Sequence, residues 1–312
     1  MNFPVFDLHC DTAYELLGKS KREMGSLRNN KCHIDLERAS ALPGYAQCFA
    51  CFTTPLEKLP EGISVSDLFE REMITVLREV ESNKKLISQA FSANEIAQNY
   101  KNGIMSAILT IEGPAGFGFE PALLEDLYKI GFRITTLGWN EQNELCGSHK
   151  TGGGLTELGK EYVFEAQRLG MLIDVSHISD EAFWNIMNIT NAPVIATHSN
   201  SRAVHNVSRN LTDDMFKAIC QTGGVAGLNL YADFIGENAT LDTACDHIVH
   251  WLELGGEKHI ALGGDLDGCD ALPAGFAGVQ DYPKLADCLL ARGINEQTVL
   301  DIFWNNAMGV MK

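Results

Sequence analysis

Eight short β-rich runs, each followed by a segment long enough to carry a helix, constrain this chain more than any other feature of it. The runs fall at 4–9, 45–52, 106–112, 133–139, 171–177, 192–198, 224–230 and 259–265. Helical periodicity appears in the gaps: Phe69, Met73, Val76, Leu77 and Val80 share one face, and Leu241, Ala244, Ile248 and Leu252 share another. Helix starts are marked by Ser64-x-x-Asp67 and Ser92-x-x-Glu95, spacings at which side chain and backbone cap one another, and Gly103 marks a stop. Asn210-Leu-Thr-Asp-Asp reads as a further entrance, with acids at the positive end of the helix dipole. Alternating strands and helices call for a parallel sheet with crossover helices. With eight such units the economical closure is a single (β/α)8 TIM barrel, an α/β fold spanning residues 1–312 as one domain. An open doubly wound sheet would carry a phosphate loop after an early strand. His9-Cys10-Asp11-Thr12 stands there instead, and Gly152-Gly153-Gly154 lacks the frame of such a loop.

Composition bears on partners. Acidic residues number 41 against 24 basic ones, a net charge of −17. Such a chain repels phosphate backbones and anionic lipid, which argues against nucleic acid and membrane surfaces, but it tolerates metal cations. The sequence shows no signal-peptide pattern at its start, no apolar run of transmembrane length and no lipid-anchor tail, so a cytoplasmic location is expected. The 9 cysteines suggest no disulfide framework. Cys48 and Cys51 lie within one strand-like run, where residues three apart face opposite sides, and read as buried structural thiols. Glycosylation-type triplets begin at Asn188, Asn206, Asn210 and Asn238, and with a cytoplasmic location expected they read as chance matches.

A barrel of this kind places its chemistry at the C-terminal ends of the strands. The first run ends with His9 and Asp11, the third with Glu112, the fifth with His177, the sixth with His198 and the eighth with Asp265. Each is weak alone: a strand-end histidine is usually a hydrogen-bonded core residue, and Gly-Asp-Leu-Asp-Gly lacks the rest of a calcium loop. Their joint placement points to a metal site. Imidazole and carboxylate together suit zinc or a similar divalent ion, and a carboxylate can bridge two. Arg209, on the loop after the sixth run, is either a surface ion-pair former or a clamp for a substrate carboxylate. Asp267 is a turn acid or a support for the site. His33, His149 and His205 read as loop residues, His247 and His250 as a solvated helix face, and His259 as a bottom-end residue before the last run.

These motifs resemble the membrane (renal) dipeptidase family, peptidase family M19, a branch of the metal-dependent amidohydrolase superfamily. The matching segments are Asp7-Leu-His-Cys-Asp-Thr12, Thr110-Ile-Glu-Gly113, Gly154-Leu-Thr-x-x-Gly159, Arg168 through Ser179, Thr197-His-Ser-Asn-Ser-Arg-Ala203, Arg209-Asn210 and Gly263-Gly-Asp-Leu-Asp-Gly268. The resemblance implies a metalloprotease barrel holding two zinc ions bridged by Glu112. His9, Asp11 and Glu112 would hold one ion, and Glu112, His177 and His198 the other. Asp265 would be the catalytic acid/base and Arg209 would bind the C-terminal carboxylate of a dipeptide, often one ending in a D-residue. A homodimer is also implied. Many members carry a histidine after the fourth strand that contacts the developing oxyanion; here that position holds Trp139, whose indole cannot become a cation. The competing expectations are another metal-dependent amidohydrolase, such as an N-acyl-amino-acid deacylase or lactonase, and a catalytically silent metal-binding scaffold.

Overall fold

The computed structural model describes residues 2–17, 25–53, 59 and 62–311. All eight runs appear in it as parallel strands: β1 (Val5–Cys10), β2 (Tyr45–Phe52), a short β3 (Ile87–Gln89) not anticipated from sequence, β4 (Met105–Glu112), β5 (Phe132–Thr136), β6 (Leu172–Asp174), β7 (Val194–Ile195), β8 (Ala226–Leu228) and β9 (Ile260–Leu262). The order around the sheet is β7-β6-β5-β4-β2-β1-β9-β8, with β3 beside the first half of β4 and β5 beside its second half. A parallel bridge between Ala196 and Ala226 brings the two ends together, so the eight long-range partners form the expected (β/α)8 barrel. The strands are uneven. β2 and β4 pair over seven residues, whereas β6 and β7 pair over two.

Between the strands run α1 (Val65–Ser82), α2 (Ala93–Lys101), α3 (Leu124–Ile130), α4 (Glu157–Leu169), α5 (Asp180–Ile189), α6 (Asp213–Thr222), α7 (Leu241–Glu253) and α8 (Tyr282–Ala291). Ser64 and Asp67 form the reciprocal cap at the start of α1. At α2 the box is displaced by one residue: Ser92 accepts from the Glu95 amide, but Glu95 accepts from Phe91. Thr212 caps α6, with Asp213 and Asp214 in its first turn, and Gly103 takes φ +68° just beyond α2.

Apolar residues divide into an inner and an outer core by the two-residue strand period. Phe6, Leu8, Ala46, Cys48, Ile108 and Ile134 fill the barrel; Val5, Cys10, Phe49, Cys51, Leu109 and Ile111 pack between strands and helices. Cys48 and Cys51 therefore do face opposite ways, both buried and unbonded. The floor of the barrel is closed from residue 296 onward, where Trp304 sits 6.0 Å from Phe6 and the Asn306 amide donates to the carbonyls of Glu257 and Ile260.

Candidate metal centre

The open end of the barrel gathers the six strand-end residues. On β1 this depends on a bulge. Asp7 pairs with Gln47, but Cys10 pairs with Phe49, so one extra residue is accommodated between them. Without it His9 would follow the outward parity of Val5 and Asp7; with it His9 and Asp11 turn inward. Glu112 needs no such device, because it shares the parity of Ile108 on β4. His177 and Asp265 lie beyond shortened strands, and both take left-handed backbone, φ +69° and +54°. A non-glycine residue held there costs about 1–3 kcal/mol and persists where the surroundings demand a direction for its side chain.

Two buried carboxylates brace these turns. Asp7 accepts from the amides of His9 (3.0 Å) and Gly264 (2.9 Å) and from the Tyr282 hydroxyl, locking β1 to the loop after β9. Asp174 does the same after β6, accepting from the amides of Ser176 (2.9 Å) and Thr197 (2.8 Å) and from the hydroxyls of Thr136 and Thr197. Asn229 donates to Asp265 at 3.0 Å and to the His198 carbonyl. Sequence reading passed over all three: Asp7 lies within β1, Asn229 lies just past β8, and Asp174 ends a β6 that the sequence extends to residue 177.

Glu112 is central. Its Oε2 lies 3.5 Å from His9 Nε2, while its Oε1 lies 3.0 Å from His177 Nε2 and 3.7 Å from His198 Nε2. His9 Nε2 is also 3.4 Å from Asp11 and 3.9 Å from Asp265, and its ring stacks on His198 at 3.7 Å. The ligand atoms of His9, Glu112 and His198 lie within 4.8 Å of one another, as do those of His9, Asp11 and Asp265.

The donor set fits a cation. Thr197 gives its proton to Asp174 (2.6 Å), so its oxygen accepts from His198 Nδ1 (2.7 Å) and His198 Nε2 is left with a lone pair. His177 Nδ1 lies 3.2 Å from the side-chain oxygen Oδ1 of Asn140, which assigns the His177 lone pair to Nε2 as well. Two lone pairs then face each other at 2.9 Å beside a carboxylate oxygen, an arrangement relieved by a positive ion. His9 Nε2 and Asp11 Oδ1 are buried without a hydrogen-bond partner, and Gly268 keeps the space beside them open: a Cβ there would fall 2.0 Å from Asp11 Oδ2 and 2.4 Å from Asp265 Oδ1.

Electrostatics point the same way. Burial, then the neighbouring His9 and Arg209, hold His198 well below the usual imidazole range, and burial with Arg209 does the same to His177. Both are therefore neutral and ready to ligate. Burial alone would lower His9 too, but Glu112 and Asp11 outweigh it and raise the ring to about 10, so it carries a proton at neutral pH. Burial lifts Glu112 above the carboxylate range and Asp265 to about 6. A metal ion must displace the His9 proton. Zinc binding is thus expected to release at least one proton near pH 7, and its affinity to rise about tenfold per pH unit for each proton released. Calorimetry in buffers of different ionisation enthalpy measures this; a heat independent of buffer would show His9 neutral in the metal-free protein.

Arg209 is buried rather than on the surface. It donates to Ser199 Oγ (2.6 Å) and to the His198 carbonyl (2.9 Å), its Nε lacks a protein partner, and it lines a small cavity with His177, Ser199 and Ser208. Trp139 is half-buried near the centre, its ring 6.4 Å from His177 and edge-on to Phe52 at 4.8 Å. Asp267 accepts from the Thr12 hydroxyl at 2.7 Å, tying the loop after β9 to the residue after Asp11.

Of three further residues, one departs from the sequence reading, one was not read from sequence, and one keeps its expected loop position. His247 is not on a solvated face: it is fully buried, accepting from the Ser201 amide at 3.1 Å and donating to the Ile235 carbonyl. Glu72 of α1 is fully buried too, accepting from the Phe52 amide at 2.6 Å, and burial keeps its carboxyl well above the usual range beside Asp11 and Glu112. Both stand at core positions of amphipathic helices, a signal that was there to find. His149 does lie on a loop, but one folded against His177, with ring centroids 6.1 Å apart.

The sequence model of the membrane dipeptidase family (peptidase family M19) matches residues 1–312. An uncharacterized dipeptidase of Schizosaccharomyces pombe is 34% identical over 298 residues, covering 92% of this chain and 69% of that protein. Another from the same organism is 33% identical over 236 residues, 73% of this chain and 58% of that relative's own length. A solved metallo peptidase from Rhodobacter sphaeroides, liganded with a phosphinate mimic of the dipeptide L-Ala-D-Ala, superposes with a TM-score of 0.89 at 26% identity over 99% of each chain.

Proposed function

The chain belongs to the membrane dipeptidase family, and from that premise we propose that it hydrolyses dipeptides with two divalent ions, zinc by the chemistry of the ligands. His9, Asp11 and Glu112 would hold one ion, and Glu112, His177 and His198 the other. The observation that carries this reading is Glu112, whose two oxygens address different imidazoles. When bound, the ions would polarise the scissile carbonyl and supply a water acidic enough to attack it at neutral pH. Asp265, oriented by Asn229, would take the proton of the attacking water and hand it to the departing amine. The partly unpaired guanidinium of Arg209 would receive the substrate's terminal carboxylate. The mimic held by the Rhodobacter sphaeroides relative makes L-Ala-D-Ala the first dipeptide to try.

Zinc content by elemental analysis and a dipeptide panel assayed with added zinc test the proposal. Fewer than two ions taken up per chain on titration, or cleavage of N-acylated substrates in preference to free dipeptides, would overturn it. Amidation of a good substrate is expected to lower kcat/KM by the loss of one buried ion pair, about 2–5 kcal/mol. Arg209→Ala should impose a similar loss on the free acid and little more on the amide; an unchanged acid-to-amide ratio would place the clamp elsewhere. Trp139 adds an apolar wall beside His177, so the wild type should prefer dipeptides whose side chain can pack on it, gaining part of the ~1.5–3 kcal/mol of a buried side chain. Trp139→Ala should reorder the panel with zinc content preserved. A uniform loss across the panel would make Trp139 a packing residue only.

A further inference from the structure

A chain of side chains outside the ligand set leads away from the centre and ends beside the clamp. Asn140 Oδ1 lies 3.2 Å from His177 Nδ1 and 2.9 Å from His149 Nε2, so one carbonyl oxygen accepts from two imidazoles. With Nε2 of His149 engaged as donor, its Nδ1 accepts from the Ser208 hydroxyl at 2.9 Å. Ser208 is the residue before Arg209. The main chain repeats the link: the His149 amide donates to the His177 carbonyl at 2.7 Å, Ser148 bridges to Ile178, and Ser148 Oγ donates to the Asn140 carbonyl at 2.8 Å. The loop of Ser208 is itself fastened, since Arg202 donates to the Ser208 and Asn210 carbonyls at 3.0 and 2.8 Å and pairs with Asp180.

This geometry has a chemical consequence. A histidine ligates through the nitrogen that carries no proton, and a partner on the other nitrogen decides which one that is. Asn140 can accept but His177 sits in strained left-handed backbone that does not by itself fix the ring. His149 in turn holds the Asn140 side chain with its oxygen, not its NH2, toward His177.

We propose that Asn140 and His149 are positioning residues: they hold His177 in the tautomer whose Nε2 faces Glu112, and through Ser208 they join that ring to the loop carrying Arg209. This rests on the proposed function for its catalytic meaning but not for its structural content. Neither residue touches the reacting atoms.

The test uses the full chain with histidines labelled by 15N. In the metal-free wild type, the His177 ring is expected to carry its proton on Nδ1. His149→Phe keeps the bulk of the ring and removes both hydrogen bonds; Asn140→Leu removes the shared acceptor; Asn140→Asp keeps it. Both His149→Phe and Asn140→Leu should shift His177 toward the other tautomer and weaken the more loosely held zinc ion roughly 10–100-fold in chelator competition. Asn140→Asp should retain the wild-type tautomer. Ser208→Ala should leave the tautomer and zinc affinity unchanged and raise KM with little change in kcat. His149→Gln, whose amide can still reach Asn140, serves if the phenylalanine variant does not fold, and is expected to fall between it and wild type. Wild-type nitrogen signals and zinc affinity in both His149→Phe and Asn140→Leu would overturn the proposal, as would a His177 proton found on Nε2 in the wild type. A protein that binds zinc yet cleaves no dipeptide would sink the proposed activity and leave these readouts intact.

Discussion

Replacing Glu112 with glutamine is expected to lower kcat/KM by at least ~10³-fold, equivalent to about 4 kcal/mol, and to strip metal from the protein at the same time. The size follows from where the two oxygens point. Oε2 faces His9, and Oε1 faces His177 and His198. A glutamine has one oxygen to offer, and its NH2 must then face one set or the other as a donor where a cation needs an acceptor. The metal-free variant should nonetheless fold normally. Burial is the chief force acting against the Glu112 charge, so a neutral amide of the same shape relieves a penalty rather than adding one. Elemental analysis, activity and a melting curve of the metal-free form check the three parts together. Full zinc occupancy with activity lost would make Glu112 a catalytic group instead of a bridge; a lower melting temperature without metal would make it a structural one.

Asp265→Asn separates proton transfer from metal binding. A general acid-base group contributes typically 10²–10⁴-fold, and a loss of kcat on that scale is expected here. The carbonyl oxygen of an asparagine can still accept from Asn229, which holds Asp265 at 3.0 Å, so the side chain should keep its direction. Zinc content should stay close to wild type, since His9, Asp11, Glu112, His177 and His198 are untouched. The asymmetry between the two variants is the informative result. Glu112→Gln loses metal and turnover together, Asp265→Asn turnover alone. Retained turnover in Asp265→Asn would remove this residue from the proton path.

What the sequence disclosed depended on how local the cause was. Parity along a strand is local, and Ile108, Thr110 and Glu112 announce an inward-facing carboxylate without further help. The β1 bulge was not legible, yet His9 and Asp11 were found, because two residues apart share a face whichever face it is. Strand ends at 133–139, 171–177 and 192–198 were placed too late: Asp174 and Thr197 have strand-like neighbours, but their side chains take over the hydrogen bonding that a longer ladder would do. β3 is three residues, too short for a period to register. Asn140 and His149 lie on one irregular loop and Ser208 on another, 59 residues beyond His149, and no spacing rule joins them. Their association is a property of the closed barrel.

The unequal strands divide the barrel into two mechanical halves. His9, Asp11 and Glu112 leave β1 and β4, the two neighbours of β2, and β2 and β4 share a seven-residue ladder, while His177 and His198 leave strands of three and two residues. Backbone amides in a long internal ladder exchange with solvent only through large openings; those held by a few side chains exchange through small ones. Deuterium should therefore enter the arc from 172 to 198 well before it enters 105–112 in the metal-free protein. One wall of the centre is stiff by virtue of its backbone, and the other takes its order from Asp174, Thr197 and Asn229. An occupant bridging the two would slow exchange mainly on the second wall, so that the protection pattern itself reports which half the occupant completes.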